Sequence, residues 1–201
     1  MSKKIYNNIT AVILAGGYNS RYNGINKAFL EIEGISLYKR TKDRLEKIFS
    51  NIIVITNTPE IFPNDGLNKY SDVIKNIGPL GGIHSALSQI KNKEAIFVIA
   101  VDMPFLDEEI IRSIVEQYHL INPDILIPRI NSLIEPLSAI YKINIFSKLD
   151  YYIKNSERFA IRNFFNKVDT KYFDIDKDEQ ISKAFININT PEEFEIIKNI
   201  K

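Results

Sequence analysis

The chain contains no cysteine. That removes disulfides, thiolate metal sites and cysteine nucleophiles in one step, and it fits a reducing, cytoplasmic setting. Charge of one sign is not in excess either: 26 Lys and Arg stand against 25 Asp and Glu, a net charge of +1. A nucleic-acid-binding surface would need a clear basic surplus, so no nucleic-acid partner is expected and any anion binding must be local. The N-terminal apolar run stops at Gly16, too short to span a bilayer. It lacks the small-residue cleavage pattern of a signal peptide, and a strand accounts for it better; no membrane partner is expected. His84 and His119 lie 35 residues apart without paired carboxylates, which gives no zinc spacing. No Ser-His-Asp or GxSxG arrangement is present.

What is there points to a packed α/β protein. Hydrophobic residues make up 45% of 201, enough for a substantial core. Residues 9–15, 51–56 and 95–101 are continuous β-branched or apolar runs, the pattern of strands buried on both faces of a parallel sheet. Helical patterns lie between them. Ser36 is placed to cap a helix with Leu37, Thr41, Leu45 and Ile48 on one face. Residues 78–90 open with GPLGG and continue as a helix. Asp107 is placed to cap a third, with Glu108 and Glu109 in its first turn, where the dipole favours them. Further on, residues 125–128, 136–141 and 185–188 read as short strands and 143–154 as a helix. Thr190-Pro191-Glu192-Glu193 combines a capping box with proline at the first helical position. Strands alternating with helices imply an α/β fold with a mainly parallel sheet, and no linker splits the chain, so one domain is expected.

The stretch LAGGYNSRYNGINK, residues 14–27, follows the first strand with glycines, two cations and no carboxylate. Ligands of open α/β sheets bind beyond the carboxyl ends of the strands. Gly16 and Gly17 let backbone approach a ligand, successive N–H groups can form an anion nest, and Arg21 and Lys27 add full charges. Alone, such a loop also reads as an ordinary surface turn. The spacing excludes a P-loop, since Lys27 precedes Ala28, and neither GGYNSR nor GPLGG supplies GxGxxG. Asp102 closes the strand at 95–101 and precedes Met-Pro. It suits a Mg²⁺ held on phosphates, or a turn before Pro104.

These residues together resemble the molybdenum cofactor guanylyltransferases, nucleotidyltransferases of GT-A-like, Rossmann-related fold. The resemblance rests on five segments in order: LAGG with Arg21, Gly24 and Lys27; GPLGG at 78–82; VDMPFL at 101–106; EPLSAIY at 135–141; and FININTPEEF at 185–194. Tyr22, Asn23, Asn26 and Val101 depart from the family's usual residues, and Asn26 replaces an Asp beside Lys27. The resemblance implies a single α/β three-layer domain with a nucleotide-binding N-terminal half and a molybdopterin-binding C-terminal half. It implies transfer of GMP from GTP to molybdopterin, with molybdoenzymes or their chaperones as further partners. It makes Asp102 the Mg²⁺ ligand, and Arg21, Lys27 and Asp102 the catalytic residues. Leu14, Ala15, Gly16, Gly17, Lys27, Asn57, Asp72, Gly82 and Asp102 fall to the nucleotide. Arg129, Arg158, Arg162, Asn187 and Asn189 fall to the molybdopterin.

For the last group, the residues themselves leave alternatives. Arg158 and Arg162 are four apart, as on one helical face, and that face also reads as solvated cover over Phe164 and Phe165. Asn187 and Asn189 alternate as on a strand, so both would point one way. Two other functions stay open: a transferase on the same scaffold using CTP or a sugar or polyol phosphate, and a non-catalytic protein that holds the nucleotide or cofactor.

Overall fold

The computed structural model describes residues 4–16, 26–176 and 179–198. Its first strand, β1 (Ile9–Leu14), is buried at every position. Successive side chains go to opposite faces of the sheet: Ala11 and Ile13 join one core, Val12 and Leu14 the other. This is the physical reason that the run shows no polar alternation.

After a small hairpin, β2 (Glu31–Ile32) and β3 (Ile35–Ser36), comes α1 (Leu37–Leu45). Ser36 caps it, its Oγ accepting from the Lys39 amide at 3.2 Å. Leu37, Thr41 and Leu45 are buried as the pattern requires, and Ile48 packs just beyond the helix end. β4 (Ile52–Ile55) and the short β5 (Asn68–Tyr70) follow, then α2 (Pro79–Gln89) and the wholly buried β6 (Ala95–Ala100). Asp107 caps α3 (Glu108–Ile121), its Oδ1 accepting from the Ile110 amide at 2.9 Å.

The second half contributes β7 (Ile125–Ile130), β8 (Leu133–Ile134) and β9 (Ser138–Lys142). It continues with α4 (Phe146–Lys154), α5 (Ile161–Phe165), β10 (Thr170–Asp174), α6 (Glu179–Ala184) and α7 (Pro191–Lys198). The order across the sheet is β10-β7-β9-β6-β1-β4-β5, with β8 beside β7. β1 runs parallel to β4 and β6, β4 to β5, and β7 to β10; β9 is antiparallel to both its neighbours. Side chains of α1, α3 and α7 cover one face, those of α2, α4 and α5 the other. The expected α/β three-layer architecture with a mainly parallel sheet is what forms. Among the described residues, no helix is long and apolar enough to cross a membrane.

Two local expectations fail. Residues 185–188 form no strand: they run irregularly between α6 and α7. The shared face for Asn187 and Asn189 therefore has no strand to rest on. Arg158 precedes α5, which starts at Ile161, so Arg158 and Arg162 do not share a helical face. The helix expected at 143–154 forms over those bounds, opening with a 3-10 turn, Ile143–Ile145, and becoming α-helical at Phe146.

Candidate active site

β4 and β5 lie on one side of β1, and β6 on the other. The loops leaving β1 and β6 therefore diverge, and a crevice opens between them. Leu14, Ala15 and Gly16 form one wall of this cleft, Ala100, Val101 and Asp102 another, with Asn26, Lys27, Pro79 and Leu137 completing about 200 Å³. A second cleft of about 530 Å³ continues it towards β4 and β5. Its walls include Thr56, Asn57, Thr58, Asp72, Lys75 and Asn76, and it shares Ala15, Gly16, Asn26 and Pro79 with the first. A volume of this size suits a small-molecule ligand.

The charged centre of the smaller cleft is Asp102 with Lys27. Lys27 Nζ lies 3.6 Å from Asp102 Oδ2, both side chains about one-fifth exposed. Burial pushes the Asp102 carboxyl up, and the Lys27 ammonium pulls it back down. Lys27 opens the 3-10 turn Lys27–Phe29, which Asn26 caps by accepting from the Ala28 amide at 3.0 Å. The departure at Asn26 therefore keeps a structural function that needs an oxygen, not a charge.

The larger cleft has its own polar pair. Asn57 Nδ2 donates to Asp72 Oδ2 at 2.8 Å, and the Asp72 amide donates to Asn57 Oδ1 at 3.2 Å. Asp72 Oδ1 is buried without a hydrogen-bond partner among the described residues. An acceptor left open beside a cleft calls for a donor from a ligand. The start of α2 borders both clefts. Gly78 takes φ +64° and ψ −153°, a conformation reserved for glycine, and so turns the chain into Pro79 and the helix. Gly82 meets Leu14 and Asp72: an added Cβ would lie 3.0 Å from Leu14 Cδ2 and 3.7 Å from Asp72 Oδ1.

Leu14, Ala15, Gly16, Lys27, Asn57, Asp72, Gly82 and Asp102 are thus brought together. Gly17 and Arg21 lie outside the described residues. The residues expected on the molybdopterin side are more scattered. Arg129 forms a two-pronged pair with Asp174 across β7 and β10, at 2.6 and 2.7 Å, and lines neither cleft. The Arg158 carbonyl accepts from Tyr152 and Ser156 in the turn before α5, and the residue borders neither cleft. Arg162 faces Glu135. Burial raises the Glu135 carboxyl, Arg162 opposes that rise, and the charge of Asp102 adds to it. Asn187 and Asn189 flank Ile188, whose carbonyl accepts from Lys27 Nζ at 2.8 Å and whose amide donates to the Asp102 carbonyl at 3.0 Å.

Sequence reasoning missed Lys75 and Asn76, which line the larger cleft, and Glu135, which lines neither cleft but feels the charge of Asp102. Glu135 opens the recognisable EPLSAIY segment, so a signal existed. Lys75 and Asn76 belong to a loop with none.

A family model described as the MobA-like NTP transferase domain matches residues 11–170. A probable molybdenum cofactor guanylyltransferase from Clostridium perfringens is 39% identical, over 92% of this chain and 94% of the relative. A molybdenum cofactor guanylyltransferase from Syntrophotalea carbinolica is 32% identical over 92% and 89%. Among solved structures, molybdopterin-guanine dinucleotide biosynthesis protein A from Archaeoglobus fulgidus superposes with a TM-score of 0.79. It is 21% identical and covers 94% of this chain and 96% of its own. A 4-diphosphocytidyl-2C-methyl-D-erythritol synthase from Anaerococcus prevotii shares the fold at a TM-score of 0.69 and 15% identity, over 94% of each chain. With its matched span, its strand-end Asp102 and its twin clefts, the chain belongs to the MobA-like NTP transferase family.

Proposed function

We propose that this protein transfers GMP from GTP to the terminal phosphate of molybdopterin or its molybdenum form, giving the guanine dinucleotide cofactor and pyrophosphate. The observation that carries the reading is the pairing of Asp102 with Lys27 in a cleft that opens directly onto the Asn57–Asp72 pocket. Nucleotide phosphates and base have adjoining, chemically distinct places. Guanine presents N–H donors at N1 and N2, and Asp72 Oδ1 is an acceptor in want of a donor.

In this reading, an oxygen of the acceptor phosphate attacks the α-phosphorus of GTP. One P–O bond forms, the bond to the β-phosphate breaks, and pyrophosphate leaves. The attacking oxygen is already anionic, so no strong base is required. The chain's task is alignment and charge neutralisation. Lys27 stabilises negative charge on the triphosphate, and the backbone of residues 14–16 and the start of α2 cradle it. Gly17 and Arg21 are proposed to complete that cradle. Asn187 and Asn189 are proposed to face the acceptor.

The donor set fits a hard divalent ion that arrives on phosphate. Among the described residues, no group of three or more His, Cys, Asp or Glu could hold a metal by itself. Mg²⁺ typically takes one or two carboxylates beside substrate phosphates and waters. Asp102 would hold it, and when bound it would neutralise phosphate charge. Burial of Asp102 suits this, because a cation restores favour to the ionised carboxylate.

The test is pyrophosphate release from GTP, CTP, ATP and UTP, each with Mg²⁺ and molybdopterin, with the dinucleotide identified by mass. Release from GTP that depends on the acceptor is expected. Preference for CTP would overturn the base assignment and keep the chemistry. Tight GTP binding without release would favour a non-catalytic carrier.

A further inference from the structure

A contact in the site that has no assigned role comes from the C-terminal segment. Lys27 Nζ makes its 2.8 Å bond not to a carboxylate but to the backbone carbonyl of Ile188, 161 residues away; Asp102 Oδ2 stands off at 3.6 Å. The Ile188 amide meanwhile donates to the Asp102 carbonyl at 3.0 Å. A single buried residue therefore touches both members of the charged pair. Its side chain is anchored in the core that also holds Ala184, Phe194 and Ile197.

The segment is tied down just beyond that point. Thr190 Oγ1 accepts from the Glu193 amide at 3.2 Å, and Glu193 Oε2 accepts from the Thr190 amide at 3.2 Å, a reciprocal helix cap. Glu193 does something a capping box does not require. The same Oε2 takes a shorter bond, 2.6 Å, from the amide of Asn189. Asn189 adjoins Ile188. The Glu193 carboxylate thus fixes the backbone one residue from the carbonyl that holds Lys27.

We propose that residues 186–189 are a strap that positions Lys27 beside Asp102, and that Glu193 is the positioning residue that holds the strap in place. A lysine has a flexible stem and about 2 kcal/mol of rotamer entropy, so an untethered ammonium is a poor preorganised charge. Holding it on a neutral carbonyl keeps it within reach of phosphate without closing it onto Asp102. The catalytic part of this inference rests on the guanylyl-transfer reading; the tether itself does not.

The experiment reads Lys27 directly, without substrate. Acylation by an N-hydroxysuccinimide ester is followed by mass spectrometry at Lys27 and at exposed Lys91. Losing a charge-assisted hydrogen bond should speed Lys27 acylation about fivefold in Glu193→Ala, with Lys91 unchanged. Glu193→Gln, which keeps an acceptor oxygen at the same reach, should stay near wild type. Thr190→Ala removes the other half of the cap at similar cost to the helix and should leave Lys27 protected. Turnover is the second readout: kcat should fall about tenfold in Glu193→Ala, more than KM for GTP rises, as expected of a misplaced charge. Equal acylation in Glu193→Ala and wild type would overturn the proposal, as would an equal rise in Thr190→Ala. Should Glu193→Ala not fold, Glu193→Asp withdraws the carboxylate while keeping its charge, and the same acylation criterion decides. A wild type that releases no pyrophosphate would sink the guanylyl-transfer reading, while the acylation result would still judge the strap.

Discussion

Two adjacent glycines of GPLGG should fail in different ways when given a methyl group. At Gly81 an added Cβ would lie 2.8 Å from the carbonyl oxygen of Ile74 and 3.0 Å from Ile77 Cγ1. Backbone cannot rotate away, so the helix or residues 74–77 must shift. Overpacking costs about 1–3 kcal/mol, and a contact this close to a backbone atom belongs in the upper part of that range, about 2–3 kcal/mol, against about 1 kcal/mol gained from replacing a helical glycine by alanine. A net loss of about 1–2 kcal/mol is expected for Gly81→Ala, or a fall in melting temperature of about 2–8 °C for a chain of this size. At Gly82 the nearest atom, 3.0 Å away, is the tip of the Leu14 side chain. A rotamer adjustment costs about 0.5–1.5 kcal/mol, and the helix gain offsets it. Gly82→Ala should therefore melt like wild type. Leu14 and Asp72 border the clefts, however, and Asp72 Oδ1 lies 3.7 Å from the new methyl. Weakening of GTP binding by about tenfold, or about 1.4 kcal/mol, should follow. Urea unfolding and calorimetry with GTP separate the two effects. A Gly81→Ala protein as stable as wild type would refute the steric argument. A Gly82→Ala protein that binds GTP normally would mean that this glycine serves only helix-on-strand packing.

Asp102→Asn should abolish transfer while folding normally, and its melting temperature should not fall near neutral pH, because burial already opposes the charge that the substitution removes; detectable turnover with Mg²⁺ would refute the ligand role. Lys27→Ala should cut kcat by about 100-fold or more, in the range seen when one preorganised charge-stabilising donor is lost; unchanged kinetics would remove Lys27 from the mechanism. Asp65 makes the α1 side acid-sensitive: burial alone would push its carboxyl up, but bonds from Lys69, Tyr38 and the Leu67 amide hold it at about 2, against an ordinary 3.8. A carboxyl depressed in the fold contributes stability above its ordinary range and loses it as pH falls towards the folded value. Wild type should thus lose about 2 kcal/mol more than Asp65→Asn as pH drops from about 4 to about 2, and parallel urea-unfolding profiles would contradict this.

Much of this molecule can be read from sequence where the determining contact is local or where burial is complete. β1, β4 and β6 are covered on both faces, so they stand out as apolar runs. The caps at Ser36, Asp107 and Thr190 act within three residues of themselves. β10 is different: TKYFD is a half-exposed edge strand defined by pairing with β7, some 45 residues earlier, and nothing in its own pattern announces it. The segment FININ alternates like a strand, yet the amide and carbonyl of its Ile188 go to Asp102 and Lys27 instead of to a neighbouring strand. The arginine spacing at 158 and 162 assumed a helix that begins only after Arg158.

The same division explains which parts of the site were legible. β1 has β4 on one side and β6 on the other, so the chain reverses its direction of progress across the sheet at β1. Whatever follows those strands borders the crevice, and Leu14–Gly16 and Asp102 sit there by topology alone. Lys75 and Asn76 reach the cleft on a loop whose path is set by packing under α2, where Gly81 lets Ile74 and Ile77 come close. The carbonyl of Ile188 reaches it because α7 docks on the core and pulls the preceding residues across the mouth of the sheet. Backbone atoms carry no side-chain signature, so a charge held by a distant carbonyl is invisible in a sequence however regular the motifs around it. The strap is therefore the part of the site that only the folded chain brings into being, and Glu193, a residue that sequence alone assigns wholly to a helix cap, is a side chain through which it can be tested.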